Sequence, residues 1–188
     1  ILDTKQMRPN LSEKSMSNQG NPGTPGTTQG SGKAAPGAAA KVGHPSFMSP
    51  HASPIALHRN FVFVVNTPAD TLDVIDTKTR EVISRVHVGI DPVSIALRPD
   101  GKEIWVANHV SDSVSVIDTV PASPTYLQVI ATIQEFDRAT KATRFDEPVG
   151  IAFADNDKAY VALSSENKIA VVNVATRKVE KSLNITAQ

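Results

Sequence analysis

The strings FVVNTPADTLDVIDT (residues 63–77) and WVANHVSDSVSVIDT (residues 105–119) stand 42 positions apart and share their landmarks. A near-copy at that spacing constrains the fold more than any other feature, because a period of about 20–50 residues marks an array of supersecondary units. Three copies align, over residues 61–89, 91–133 and 147–185. Asn66 precedes Asp76 by ten positions, Asn108 precedes Asp118 by ten, and Leu163 and Asn173 keep the interval. Pro92 and Pro148 open equivalent segments, and the third copy arrives late because residues 121–125 and 134–146 intervene. Loop insertions of this kind are what a repeat architecture tolerates.

Within each copy, short Val- and Ile-rich runs are bounded by turn residues. In the second they are 93–97, 103–108, 113–118 and 126–133; in the first, 54–57, 61–66, 71–76 and 81–88. Pro99-Asp100-Gly101 reads as a turn, Pro presetting the first φ and Gly101 accepting a positive one, and Asn156-Asp157 replaces it in the third copy. Ser113-Val114-Ser115-Val116 alternates, which predicts one wetter face. No window carries an apolar stripe at i, i+3, i+4, i+7, and β-branched residues dominate, so helices are not expected. Four antiparallel strands per repeat predict an all-β chain of three β-propeller blades, at about 54–89, 90–133 and 147–185, with twelve strands in all. Because propellers close with typically four to eight blades, three form an incomplete ring.

Residues 1–53 differ in kind. They hold seven of the ten glycines and six of the thirteen prolines, and show neither a period of 2 nor one of 3.6. Such a segment buries too little apolar surface to offset its ordering entropy, and it is expected to be a low-complexity linker or tail before the repeats at 54–188. Residues 1–53 carry five Lys/Arg against two Asp/Glu, and 54–188 fourteen against seventeen, a balance that does not point to nucleic acid. No run of 18 apolar residues occurs, so no helical membrane span is expected. With no cysteine, the chain has no disulfide, thiolate nucleophile, cysteine zinc site or covalent c-type haem attachment of its own. It starts at Ile1 without a charged-then-apolar leader, so a signal peptide is expected to have been removed or omitted.

FVVN and WVAN at strand ends, TLDVIDT and SVSVIDT after them, a strand ending in VG, and then DPVSIALRPDGK resemble the YVTN-type β-propeller repeat. The resemblance covers about 135 residues; VALS and NVAT depart from the pattern in the third copy. It implies a segment of a longer propeller that needs further blades, another copy or a protein partner to close the ring. Ile1-Leu2-Asp3-Thr4-Lys5 echoes Val74-Ile75-Asp76-Thr77-Lys78, as the remnant of an upstream blade would. The resemblance also implies export, to the periplasm or cell surface. The function expected is a non-catalytic binding or scaffold module of a larger exported protein or assembly. The alternative is the propeller portion of a lactonase-like or a haem- or quinone-linked redox enzyme, with haem or metal supplied by a partner or by sequence outside this chain.

Catalytic residues are not expected: the chain has no GxSxG, HExxH, GxxxxGK[ST] or GxGxxG string. Asp76 and Asp118, each followed by Thr, are expected to bond their own backbone two residues on and fix turns. Asn66 and Asn108 are expected to cap strand ends, a task helped by tolerance of the left-handed conformation. His109 stands where the first copy has Thr67, so the repeat does not require it; it is either an exposed loop residue or a ligand for a metal, a haem edge or a partner carboxylate. His44, His51 and His58 recur every seven residues, but His44 and His51 lie in or beside the linker, where the fold does not hold ligands still, so no metal site is expected; His51, His58 and His109 are the ligand candidates should there be one. His87 alternates with Val86 and Val88 and is expected to face solvent or a neighbouring blade. Trp105 takes the slot of Phe63 and Tyr160, which predicts core packing.

Overall fold

A computed structural model describes residues 51–186. Three antiparallel four-stranded sheets follow one another, each with its strands in sequence order. Blade 1 comprises β1 (Ile55–His58), β2 (Phe61–Asn66), β3 (Thr71–Asp76) and β4 (Val82–His87). Blade 2 comprises β5 (Pro92–Leu97), β6 (Glu103–Asn108), β7 (Ser113–Asp118) and β8 (Val129–Ile133). A two-stranded hairpin, β9 (Phe136–Asp137) and β10 (Ala142–Thr143), precedes blade 3, which comprises β11 (Pro148–Phe153), β12 (Lys158–Leu163), β13 (Lys168–Asn173) and β14 (Lys178–Asn184). Among the described residues no helix is long and apolar enough to cross a membrane.

Among the described residues the strand count is fourteen rather than the twelve expected, because the insertion at 134–146 folds back on itself. Asp137 closes that hairpin by accepting the backbone N–H groups of Ala139 (2.8 Å) and Thr140 (3.2 Å). Residues 126–128, expected in a strand, form a turn in which Leu127 takes φ 56°. The first strand starts one residue later than expected, and Ser53 already pairs with Ser94 and accepts the Ile95 N–H at 2.8 Å. His44 and the Ile1–Lys5 echo lie outside the described residues.

The turn residues work through side-chain oxygens. Asp76 Oδ1 accepts the N–H groups of Lys78 (2.7 Å) and Thr79 (3.1 Å), and these, with the Lys78 charge, hold its carboxyl below the usual carboxylate range. Asp118 Oδ1 accepts the Val120 N–H at 2.8 Å and Oδ2 the Thr125 hydroxyl at 2.7 Å. Burial is the largest influence on Asp118 and acts to raise its pKa, but hydrogen bonds from Ser123, Thr125 and Val120 together outweigh it and the net shift is downward. Gly101 sits at φ 70° and donates its N–H to Arg98.

Asn66 and Asn108 depart from expectation. Neither has a positive φ; the left-handed residue of each top loop is Asp70, Asp112 or Asn167, one position before the third strand. The asparagines act through their amides instead. Asn108, fully buried, donates to Ser113 (3.1 Å) and Ser115 (3.0 Å). That amide also explains why the alternating strand β7 has no wet face: Ser113 and Ser115 are only 1% and 2% exposed, and their hydroxyls are satisfied internally.

Two apolar layers hold the blades together, and each lies between blades. Phe63, Val65, Leu72 and Val74 of blade 1 meet Ile95, Ile104, Val106 and Ile117 of blade 2. Trp105, Val114, Val116 and Ile133 of blade 2 meet Ala159, Val161, Ala170 and Val172 of blade 3. Alternation along each strand therefore sends one set of side chains to the preceding blade and the other to the following blade, here called the leading and trailing faces. Gly89 is needed at the first junction for space: a Cβ there would stand 2.6 Å from Asn108 Cγ and 2.4 Å from Ser111 Oγ.

Candidate functional site

Blade 2 is covered on both faces, and it shows what each face of a blade is built to do. On its leading face Ile104, Val106 and Ile117 are fully buried and Ile95 is 4% exposed. The register places Val62, Val64, Ile75 and Ile55 at the same positions of blade 1. There the first three are half-buried, and Ile55 is 60% and its neighbour Leu57 65% exposed. A sheet face written for burial thus stands open among the described residues. The sequence carried the signal, since the three copies align, but their exposure follows only once the blade order is known.

A groove of about 500 Å³ opens on the same face, lined by His51, Val64, Asn66, Thr67, Asp73 and Ile75. Its polar end is a connected set. The Thr71 hydroxyl donates to Asp73 Oδ1 at 2.7 Å, Asn66 Nδ2 donates to Asp73 Oδ2 at 3.4 Å, and Arg85 Nε lies 3.5 Å from Asp73 Oδ2. His51 Nε2 is 2.9 Å from Thr67 Oγ1, which donates to Pro92 O at 2.7 Å.

The candidate histidines do not converge. His51 and His109 lie at the top end of the blades, His51 on Thr67 and His109 directly after β6. His58 ends β1 at the opposite end, where it packs on Gly101; burial, then the Arg59 charge, lowers its pKa. Among the described residues no group of three His, Asp or Glu side chains is placed to hold a metal ion. His109 is half-buried, its backbone N–H bonded to Asp91 O at 2.9 Å and its Nδ1 enclosed. His87 is exposed.

The top loops are stitched across blades by a device that repeats. Asp70 Oδ1 accepts the N–H of Asp91 (2.9 Å), and Asp112 Oδ1 accepts that of Glu147 (3.0 Å). Asp112 faces two further carboxyls: burial first, then the charges of Asp146 and Glu147, push its pKa above 3.8 despite the Glu147 N–H. A carboxyl held above its unfolded value stabilises the fold below that value, and the contribution is lost as pH rises through the raised folded value. Asp112→Asn keeps the acceptor for Glu147, as Asn167 stands in blade 3, and removes the charge. It is expected to raise the thermal midpoint at pH 7 by about 2 °C, with the gain vanishing below pH 3.8, in melts followed by circular dichroism across that range.

Neither a protein-family model nor a curated protein sequence matches the chain. Among solved structures it is similar to hydrazine synthase of Kuenenia stuttgartiensis, with TM-score 0.59 and 27% identity over 76% of this chain and 40% of that one. It is also similar in fold to the Cps50 (Swd1) β-propeller domain of Myceliophteria thermophila, with TM-score 0.58 and 14% identity over 72% of this chain and 42% of that one. The chain spans about two fifths of the length of either. Its described residues are three blades of an unclosed β-propeller.

Proposed function

We propose that this chain is a non-catalytic binding and scaffold segment of a propeller of the YVTN-repeat type, working in the periplasm or at the cell surface within a larger protein or assembly. The observation that carries this reading is the leading face of blade 1, where Ile55 and Leu57 lie open while their blade 2 counterparts are covered. Exposed apolar patches of this kind mark surfaces that take a partner. Unclosed β architecture has the same need, since closure is what removes the edge hazard.

The test is the double variant Ile55→Lys/Leu57→Lys. If the face is open in the full chain, the unfolding free energy from urea titration stays within about 0.5 kcal/mol of wild type, as for surface substitutions, and aggregation measured by light scattering falls. A loss of more than about 2 kcal/mol means that the face is already covered within the chain, and overturns the reading.

The likeness to hydrazine synthase favours a second reading, in which the propeller is a docking part of a redox enzyme whose haem, quinone or metal sits in a partner. Visible spectroscopy of the assembly isolated from its native host distinguishes the two: a haem or quinone band that travels with this chain supports the enzyme reading, and its absence supports the scaffold.

A further inference from the structure

At each blade junction the same two positions lie at the shared face, and their chemistry changes in concert. The left-handed residue of the β3–β4 type of turn reaches back to the preceding blade. It is Arg80 in blade 1, Leu127 in blade 2 and Arg177 in blade 3, each donating its N–H to the carbonyl of Asp76, Asp118 or Asn173. The first residue of the second strand receives it: Phe61, Glu103 and Lys158 in blades 1, 2 and 3. At the first junction both members are apolar, Phe61 and Leu127 packing on one cluster. At the second both are charged, Arg177 Nη2 donating to Glu103 Oε1 at 2.8 Å. The two open ends of the arc therefore present Arg80 on the leading face and Lys158 on the trailing face. Both are exposed, and neither is ion-paired among the described residues.

We infer that the leading face of blade 1 takes a propeller blade other than blade 3 of a second copy, one whose second strand opens with Asp or Glu to receive Arg80. Closing two copies into a ring would set Lys158 of one against Arg80 of the other, where the built junction sets Glu103 against Arg177. Like charges at that separation repel, and a partly buried pair is little screened. Tyr160 and Ile169 stand on blade 3 where Trp105 and Val114 stand on blade 2, but Val171 is already only 7% exposed and Lys181 beside it replaces Ala131, so charge, at Lys158 and Lys181, is what discriminates between the two faces. The inference rests on the reading of this face as a docking surface and adds the identity of what docks.

The test uses a second copy of the full chain as the probe. Full-length protein carrying Lys158→Glu is immobilised, and binding of the unmodified chain is measured by surface plasmon resonance at low and high salt. The Lys158→Glu copy is expected to bind at least about tenfold more tightly than an immobilised unmodified copy, with affinity falling as salt rises. Arg80→Glu in the mobile chain is expected to cancel the gain, and Arg80→Glu against an unmodified Lys158 copy to restore it, a reciprocity that misfolding of either variant does not produce. Equal binding by unmodified and Lys158→Glu copies, binding by neither, or a gain indifferent to Arg80→Glu overturns the inference. The Ile55→Lys/Leu57→Lys stability result is unaffected by any of these outcomes, so the open face and its charge rule fail separately.

Discussion

Trp105→Ala is expected to remove about 3–5 kcal/mol of stability, at the top of the range for core truncations. The indole is fully buried and packs edge-on against Phe153 of blade 3, with ring centroids 5.0 Å apart and an interplanar angle of 70°. Truncation opens a cavity between two rigid sheets, which relax little towards each other. It also frees Glu103 Oε2, which now accepts the indole N–H at 2.9 Å in a buried site. Because domains of this size hold only about 5–15 kcal/mol in total, the variant is expected to melt near ambient temperature. Trp105→Phe separates the two contributions: it keeps a ring against Phe153, loses the donor, and is expected to cost about 1–2 kcal/mol. Trp105 is the sole tryptophan, so urea transitions must be followed by far-ultraviolet circular dichroism rather than fluorescence. A loss below about 1 kcal/mol for the alanine variant contradicts the placement of this residue between blades.

The fold was legible because its instructions are local and written three times. Asp76 and Asp118 fix turns through their own backbone neighbours, Gly101 takes the positive φ that its turn needs, and the alternation of Val and Ile sets the two faces of each sheet. What escaped was non-local. Ser115 looked like a solvent-facing residue because periodicity reports alternation, not what each face meets; Asn108, seven positions earlier, turns that face inward by supplying two amide donors. Leu127 has the propensity of a strand residue, yet it takes the left-handed conformation that the turn before the fourth strand has in every copy, as Arg80 and Arg177 do. The turn costs about 1 kcal/mol at such a backbone, and in blade 2 the packing of Leu127 on the blade 1 cluster offsets it.

The candidate site is less legible in the sequence, for a related reason. Seven-residue spacing has no meaning in a β structure, where His51 and His58 stand at opposite ends of a blade. Ile55 and Leu57 carry no signal in the sequence, since apolar residues in a strand imply a core unless no blade lies beside them. Arg80 and Lys158 become informative only through Arg177 and Glu103, whose pairing lies 74 positions apart in the chain and is invisible before the blades are stacked.

That pairing carries the second large effect. Glu103 is 8% exposed and serves three donors: Trp105 Nε1, Arg177 Nη2 at 2.8 Å, and Arg98, whose Nη1 lies 3.5 Å away. Glu103→Ala takes the shared acceptor from two partly buried guanidinium groups, 20% and 26% exposed, and from a fully buried indole N–H, and is expected to cost about 3 kcal/mol in urea unfolding. Glu103→Gln retains an acceptor but not the charge, and is expected to cost about half as much. The loss should fall less steeply with salt than that of the more open pair of Arg85 with Asp73, because the Glu103–Arg177 pair is partly buried. A double-mutant cycle with Arg177→Ala isolates the contact between blades, and a coupling energy above about 1 kcal/mol is expected. Coupling near zero would show that Glu103 serves only its own blade, held by Arg98 and Trp105, and that the charged pair does not select which blade follows which.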